Sequence, residues 1–105
     1  MLNLITEDWK HLLKREKEPI IIDVRTAVEY EEGIIQGAIN IDVMKEEEFI
    51  KTMETMDKRK NYYVYCHSGG RSSHACKIME TLGFKHVTNL LGGMCEWTGE
   101  IVYPD

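Results

Sequence analysis

The sequence predicts an α/β fold of three layers, in which a mostly parallel central sheet is flanked by helices. Short aliphatic or aromatic runs alternate along the chain with segments of helical periodicity, which is the pattern of a parallel sheet. One of these runs, residues 20–24, is apolar on both faces, as is typical of a strand covered by helices on each side. The 105 residues allow one domain over residues 1–105, because domains ordinarily need about 100 residues or more.

The first predicted elements are a helix and a buried strand. Thr6 is the expected N-cap of a helix that runs to about residue 16, because a threonine hydroxyl can accept from the first free amides. Apolar residues recur at helical spacing within this helix and predict a buried stripe: Trp9, Leu12 and Leu13. Pro19 blocks continuation of the helix, and residues 20–24 follow as the strand.

The middle of the chain predicts a short helix, a small strand and a longer helix. Thr26 and Glu29 have the spacing of a capping box, which predicts a helix over residues 27–32. A strand is expected at residues 38–41, and Asp42 is the expected cap of a helix that extends to about residue 56. One face of that helix carries its apolar side chains: Phe49, Ile50, Met53 and Met56.

The last third of the chain predicts a strand, a helix, a second strand and a final turn. Residues 62–65 are aromatic and β-branched, as is typical of a strand, and we expect this strand at the centre of the sheet. Helical periodicity resumes at Ser72 and ends at Gly83. A strand over residues 86–90 and a short helical turn over residues 92–97 complete the predicted fold.

The net charge is acidic and unevenly distributed. Thirteen Lys and Arg against 18 Asp and Glu give a formal charge of -5, which argues against nucleic acid or an anionic membrane as a partner, because both bind basic faces. Residues 1–57 hold 14 acidic and 7 basic side chains, whereas residues 58–105 hold 4 acidic and 6 basic ones. A site for a small anion is therefore expected in the second part of the chain.

The N-terminus and the cysteines indicate a cytoplasmic protein with free thiols. The start of the chain lacks the basic region and the apolar stretch of a signal peptide, and the longest purely aliphatic run is residues 20–22. Three cysteines are an odd number for a disulfide framework: Cys66, Cys76 and Cys95. We interpret Cys76 and Cys95 as packing residues, the latter beside Trp97, and expect no disulfide with Cys66.

The segment after the predicted central strand is the candidate reactive site, because ligands of open parallel sheets bind beyond the carboxyl ends of the strands. We call residues 66–71 the cysteine loop. Gly69 and Gly70 let its backbone curl so that successive amides point inward, and the helix that follows adds the positive end of its dipole. A thiol at Cys66 that faces these groups and Arg71 is expected to have a pKa below the free value of about 8.5, which makes it nucleophilic near neutral pH.

Simpler interpretations of the same residues exist. A cysteine at a strand end is commonly a small buried hydrophobe, and a Gly-Gly pair is commonly a turn. The combination of a cysteine, two glycines, an arginine and a helix N-terminus favours chemistry over packing. A zinc site is not expected, because His74 and Cys76 lie two residues apart on a helix and do not face a common point with Cys66 and His67.

The chain resembles the rhodanese family, the sulfurtransferase homology domain, in its single-domain form. Four segments carry this resemblance in the family's order: residues 23–25, residues 29–41, residues 66–72 and residues 83–97. The third segment reads Cys-His-Ser-Gly-Gly-Arg-Ser and looks like the family's catalytic loop. Three positions depart from the family pattern, since Ile34 and Gln36 replace the usual His and Pro, and His67 stands where thiosulfate-using members often carry Arg. The change at His67 weakens the case for thiosulfate as the donor.

The resemblance implies a sulfurtransferase of the thiosulfate:cyanide type that uses neither a cofactor nor a metal. Cys66 would accept sulfane sulfur from a small anionic donor, thiosulfate or a persulfide, and hold it as a covalent persulfide. The acceptor would be a thiol or cyanide, with a sulfur-carrier protein as a further candidate partner. Arg71 would bind the anionic donor or leaving group with its fork of N–H donors.

The other residues of the predicted site bind substrate or support the loop. Five positions make up the expected substrate-binding loop, the first two of them at its mouth: His67, Ser68, Gly69, Gly70 and Ser72. Asp23 and Arg25 are expected to hold the surroundings of the loop through hydrogen bonds, and Arg25 is expected to pair with Glu29.

Two other functions are compatible with a cysteine loop. A cysteine-dependent phosphatase or arsenate reductase places one more residue between its Cys and Arg to surround a tetrahedral oxyanion, whereas the shorter spacing between Cys66 and Arg71 suits a single sulfur. A non-catalytic binding or regulatory module of the same fold would have no chemical need for the cysteine, the two glycines and the arginine. We therefore predict a sulfurtransferase, with both alternatives left as outcomes of experiment.

Overall fold

Strands and helices alternate along residues 1–104, the part of the chain that the computed structural model describes. The strands are β1 (Leu2–Leu4), β2 (Ile20–Asp23), β3 (Ile39–Asn40), β4 (Asn61–Tyr65) and β5 (His86–Leu90). The helices are α1 (Thr6–Lys14), α2 (Ala27–Glu31), α3 (Glu46–Glu54) and α4 (Gly70–Thr81). A short 3-10 helix over Gly93–Glu96 follows β5. None of the helices in residues 1–104 is both long enough and apolar enough to cross a membrane.

The five strands form one parallel sheet in the order β1-β5-β4-β2-β3. β4 lies at the centre, where Tyr65 is in register with Asp23 of β2 and Val64 is in register with Asn89 of β5. This arrangement confirms the predicted α/β class, the parallel sheet and the central position of residues 62–65. Because the strands are parallel, the carboxyl ends of β2, β4 and β5 meet at one edge of the sheet, and β4 leads into the cysteine loop there.

Two apolar cores cover the two faces of the sheet and create the three layers. α3 and α4 lie on one face, where Val64 of β4 packs in the same core as Phe49. α1 covers the other face, where Trp9 is fully buried and meets the rings of Tyr63 and Tyr65 edge-on at centroid distances of 5.6 and 6.4 Å. Alternate side chains of β4 therefore anchor in opposite cores, and the carboxyl end of the strand is held from both faces.

The predicted capping box of α2 is present. The Thr26 hydroxyl accepts from the Glu29 amide at 3.2 Å, and the Glu29 carboxylate accepts from the Thr26 amide at 3.1 Å. The helix ends one residue earlier than predicted, at Glu31. Because both hydrogen bonds of the box involve Glu29, they fix the position of its carboxylate at the start of α2.

Several expected boundaries are wrong. β1 is absent from the sequence-based prediction, because a three-residue strand is too short to show an alternating pattern. Thr6 is not the N-cap of α1, since Ile5 holds that position and the Thr6 hydroxyl instead donates to the Glu96 carbonyl at 3.1 Å. Asp42 does not cap α3, which begins further along the chain, because its carboxylate accepts from the Met44 amide at 2.9 Å in a preceding turn.

Candidate active site

The cysteine loop lies at the carboxyl end of β4 and leads directly into α4. Cys66 follows the last residue of β4, and α4 begins at Gly70, two residues earlier than predicted. The 3-10 helix holds the loop from the other side, because the Met94 amide donates to the Cys66 carbonyl at 3.0 Å and the Cys95 amide donates to the His67 carbonyl at 2.9 Å. The backbone of the loop is thus fixed by β4, by α4 and by the 3-10 helix.

Close approach between the 3-10 helix and the cysteine loop requires a glycine at position 93. Gly93 has a φ of +52°, in the left-handed region. A Cβ at this position would lie against the carbonyl groups of Cys66 and His67, at 2.6 Å from the His67 oxygen. Glycine alone combines this backbone conformation with the absence of a side chain, so Gly93 permits the hydrogen bonds that hold the loop.

The sulfur of Cys66 accepts hydrogen bonds from inside the loop. The Gly69 amide donates to Sγ at 3.0 Å, and the Ser72 hydroxyl lies 3.4 Å from Sγ. Gly69 is the N-cap of α4 with a φ of +103°, a conformation that is unfavourable for other residues. Cys66 is only 1% exposed, so a donor must reach its sulfur through the mouth of the loop.

These contacts lower the pKa of the Cys66 thiol. Burial by itself raises that pKa, because a buried thiolate loses hydration, but hydrogen bonds from the hydroxyl and amide of Ser72 and from the amides of Gly69 and Ser68 together outweigh the burial. The direction is the one that the sequence predicts. At a given pH, Cys66 therefore holds a larger fraction of thiolate than an ordinary cysteine does.

Arg71 is bound to a carboxylate from another part of the chain. Its Nη1 and Nη2 donate to Oε1 and Oε2 of Glu29 at 2.7 and 2.9 Å. These hydrogen bonds are the main reason why the pKa of Glu29 falls to about 2. The predicted pair between Arg25 and Glu29 is therefore wrong: the true partner lies 42 residues away, and no local spacing reveals it.

Asp23 and Arg25 form a buried ion pair at the same edge of the sheet. The Arg25 Nε donates to the Asp23 Oδ1 at 3.0 Å, and its Nη2 donates to the Asp23 Oδ2 at 2.6 Å and to the Gly33 carbonyl at 2.8 Å. The guanidinium carbon lies 5.7 Å from the centre of the Tyr65 ring. These contacts link the end of β2 to the end of β4. They are compatible with the supporting role expected for Asp23 and Arg25.

The mouth of the loop carries an exposed thiol that the sequence does not place there. His67 and Ser68 are exposed, as expected for mouth residues. Cys95 is exposed too, and its Sγ lies 3.0 Å from the His67 Nε2. The packing role expected for Cys95 is therefore wrong. In the 3-10 helix and just beyond it, Met94 and Trp97 pack against the core on the α1 face, and Cys95 lies outside that core.

Cys76 is a buried residue of α4, as its expected packing role requires. Burial raises the pKa of its thiol to about 12, which leaves it protonated and unreactive near neutral pH. All three cysteines are free. Within residues 1–104, no group of three or more His, Cys, Asp and Glu side chains is placed to hold a metal ion.

A parallel sheet whose central strand ends in a cysteine at a helix N-terminus defines a class of α/β domains with an activated thiol. Residues 6–100 match the rhodanese-like domain family, and the chain belongs to that family. The resemblance that the four sequence segments indicate is thereby confirmed.

The chain is also similar to individual proteins of known sequence or structure. The chain is 41% identical over 95 residues to YtwF of Bacillus subtilis, a protein named as a candidate sulfurtransferase, and the match covers 90% of this chain and 88% of YtwF. It is 34% identical over 91 residues to the thiosulfate sulfurtransferase GlpE of Coxiella burnetii, covering 87% of this chain and 80% of GlpE. The crystal structure of a rhodanese-like domain protein from Staphylococcus aureus covers all of both chains at 28% identity, with a TM-score of 0.85.

Proposed function

We propose that this protein is a rhodanese-type sulfurtransferase in which Cys66 carries the transferred sulfur as a persulfide. The observation that carries the proposal is the position of the Cys66 sulfur in the loop. The Gly69 amide donates to this sulfur, and the hydrogen bonds of the loop lower the pKa of the Cys66 thiol. A thiolate is the form that attacks a sulfane sulfur. YtwF and GlpE are both named as sulfurtransferases, which supports the reaction class.

The proposed cycle has two steps, and neither changes the total oxidation level. In the first step, the Cys66 thiolate attacks the outer sulfur of the donor, an S–S bond forms at Cys66, and the donor's own S–S bond breaks. The bonding electron pair leaves with the donor fragment, which is sulfite or a thiolate. In the second step, cyanide or an acceptor thiolate attacks the outer sulfur of the persulfide, and the Cys66 thiolate leaves. The persulfide is the only carrier that the cycle needs.

The cysteine loop stabilises the anionic sulfur in both states. The Gly69 amide and the Ser72 hydroxyl donate toward the sulfur, and the N-terminus of α4 adds a partial positive charge. The 3-10 helix holds the carbonyls of Cys66 and His67, and Ser72 lies within α4, so the loop is already shaped around the sulfur before charge moves onto it. His67 and Ser68 stand exposed beside the path by which donor and acceptor reach Cys66.

A small anionic sulfur donor and a thiol or cyanide acceptor are the partners that this chemistry requires. A sulfur-carrier protein is a further candidate partner, supported by YrkF of Bacillus subtilis, which is named as a candidate sulfur carrier protein. The match to YrkF has 35% identity over 94 residues and covers 90% of this chain but 49% of YrkF. Because Cys66 must stay reduced to accept sulfur, the proposal places the reaction in a reducing compartment such as the cytoplasm.

The arrangement of Arg71 separates this proposal from a phosphatase. A phosphatase relies on the arginine of its loop to hold a doubly charged tetrahedral oxyanion, whereas the charge of Arg71 is already matched by Glu29, to which both of its terminal nitrogens donate. The short spacing between Cys66 and Arg71 likewise suits one sulfur better than a phosphate group.

A sulfur-transfer assay tests the proposed function. Protein, donor and cyanide are mixed, and the thiocyanate formed is measured with thiosulfate and with cysteine persulfide as alternative donors. Cys66→Ser should lower thiocyanate formation to the rate of donor and cyanide without protein while the domain stays folded, because serine is nearly isosteric but is no sulfur nucleophile; Cys76→Ala is the matched control. Cys66-dependent hydrolysis of an aryl phosphate without thiocyanate formation would favour the phosphatase. Neither activity would favour the binding module.

A further inference from the structure

The carboxylate of Glu29 is held on two sides, and both of its oxygens face Arg71. Oε1 accepts from the Thr26 amide and hydroxyl, each at 3.1 Å, and from Arg71 at 2.7 Å. Oε2 accepts from the second terminal nitrogen of Arg71 at 2.9 Å. Two parallel N–H donors on two carboxylate oxygens are the geometry by which an arginine binds an oxyanion. Both terminal nitrogens of Arg71 are therefore engaged by Glu29, and an anionic donor meets a guanidinium whose charge is already matched by a carboxylate.

The other charged side chains named at this edge of the sheet do not offset the pairing of Arg71 with Glu29. Arg25 is buried and bound to Asp23, so its charge is also matched by a carboxylate. Asp42 acts on Arg71 as an additional negative charge. The thiolate of Cys66 adds another negative charge beside them. A donor with two negative charges is therefore repelled more strongly at this site than a donor with one.

We infer that Glu29 sets the donor class by occupying Arg71, so that Cys66 draws sulfur from an organic persulfide in preference to thiosulfate. This inference rests on the proposed function and adds a donor class and a positioning residue to it. The Cys66 thiolate attacks the terminal sulfur of R–S–S⁻, a new S–S bond forms, the old one breaks, and R–S⁻ leaves with the electron pair. That leaving group carries its single charge on the thiolate sulfur, whereas thiosulfate releases sulfite, a dianion that gains more from a free arginine.

The Glu29→Gln variant tests this inference because it removes the charge and keeps the fold. Glutamine is also accepted at this position of a capping box, so α2 retains its N-terminal hydrogen bonds. Glu31→Gln is the matched control, since Glu31 lies in the same helix, is exposed and has no hydrogen bond to Arg71. The kcat/KM of each protein is measured with thiosulfate and with cysteine persulfide, and thermal unfolding verifies that all three proteins are folded.

The ratio of the two kcat/KM values is the decisive quantity, because a general change in Cys66 reactivity cancels in it. Wild type is expected to use cysteine persulfide more efficiently than thiosulfate. In Glu29→Gln the ratio should shift toward thiosulfate by about tenfold, mainly through a lower KM for thiosulfate, since one unit of repulsion on a dianion is removed. Glu31→Gln should leave the ratio unchanged within about twofold.

Two results would overturn the inference while leaving the proposed function intact. One is a wild-type preference for thiosulfate, and the other is an unchanged ratio in Glu29→Gln, either of which would mean that Arg71 releases Glu29 freely when a donor binds. If neither donor transferred sulfur to wild-type Cys66, the proposed function and the inference would fail together.

Discussion

Replacing Gly93 with alanine is expected to destabilise the domain and to disable the cysteine loop at the same time. The new Cβ would stand 2.6 Å from the His67 carbonyl oxygen and also against the carbonyl of Cys66, whereas real Cβ atoms essentially never approach another atom within 3.0 Å. The 3-10 helix and the loop would have to separate by several tenths of an ångström. That movement stretches the hydrogen bonds from the amides of Met94 and Cys95 that hold the loop.

The size of the effect follows from two contributions. An alanine in the left-handed conformation of Gly93 costs about 1–2 kcal/mol. Crowding against a backbone that is held on both sides costs a further ~1–3 kcal/mol, which includes the weakening of two hydrogen bonds. We therefore expect the free energy of unfolding to fall by about 2–5 kcal/mol, a large share of the roughly 5–15 kcal/mol of an ordinary domain.

Gly37→Ala is the matched control for this variant. Gly37 also has a positive φ, of +88°, but a Cβ there would have no atom within 4 Å, so alanine adds backbone strain without a clash. Urea unfolding should show a loss of only about 1–2 kcal/mol for Gly37→Ala. Sulfur loading of Cys66 should fall in Gly93→Ala and persist in Gly37→Ala. Equal destabilisation of the two variants, with loading intact in both, would refute the proposed contact between the 3-10 helix and the loop.

Three further predictions concern the titrating groups and thiols of the site. The rate of Cys66 alkylation by iodoacetamide rises with pH, and this rise should begin at a lower pH in the folded protein than in the unfolded chain, because the loop lowers the pKa of the thiol. Identical pH profiles of the folded and unfolded protein would contradict this. The pKa of Glu29, about 2 instead of 4.5, means that its pair with Arg71 stabilises the fold fully above pH 4.5 and is lost as the pH falls toward 2. Urea unfolding across that window should show a loss of about 1–3 kcal/mol that Glu29→Gln lacks, and an equal slope in both proteins would count against the pair. Cys76→Ala and Cys95→Ser should both retain sulfur loading of Cys66 by mass spectrometry, and a loss as complete as in Cys66→Ser would show that a second thiol takes part.

The interior of the sheet could be predicted because its strands carry strong local patterns. Residues 20–24 and 62–65 consist almost wholly of aliphatic or aromatic side chains, and these segments form β2 and β4. β1 could not be predicted in this way, because it depends on pairing with β5 and three residues are too few to establish an alternating pattern. Thr6 and Asp42 have the right chemistry for caps, but each hydroxyl or carboxylate is used in a contact that only the folded chain creates.

The reactive centre could be predicted for a related reason, since its chemistry is contiguous in sequence. Cys66, its glycines and the start of α4 lie within a few residues, so spacing alone indicates an activated thiol. Contacts between distant segments could not be predicted. Glu29 and Arg71 are 42 residues apart, and Cys95 and His67 are 28 residues apart, so the sheet edge and the 3-10 helix bring each pair together.

Intact mass spectrometry after exposure to a sulfur donor tests the central claim most directly. Wild-type protein is incubated with thiosulfate or cysteine persulfide, separated from the donor and weighed before and after addition of cyanide. The claim that Cys66 carries the sulfur predicts a gain of one sulfur atom in wild type, its removal by cyanide, and no gain in a folded Cys66→Ser variant. A gain that persists in Cys66→Ser, or the absence of any gain in wild type with both donors, would contradict that claim.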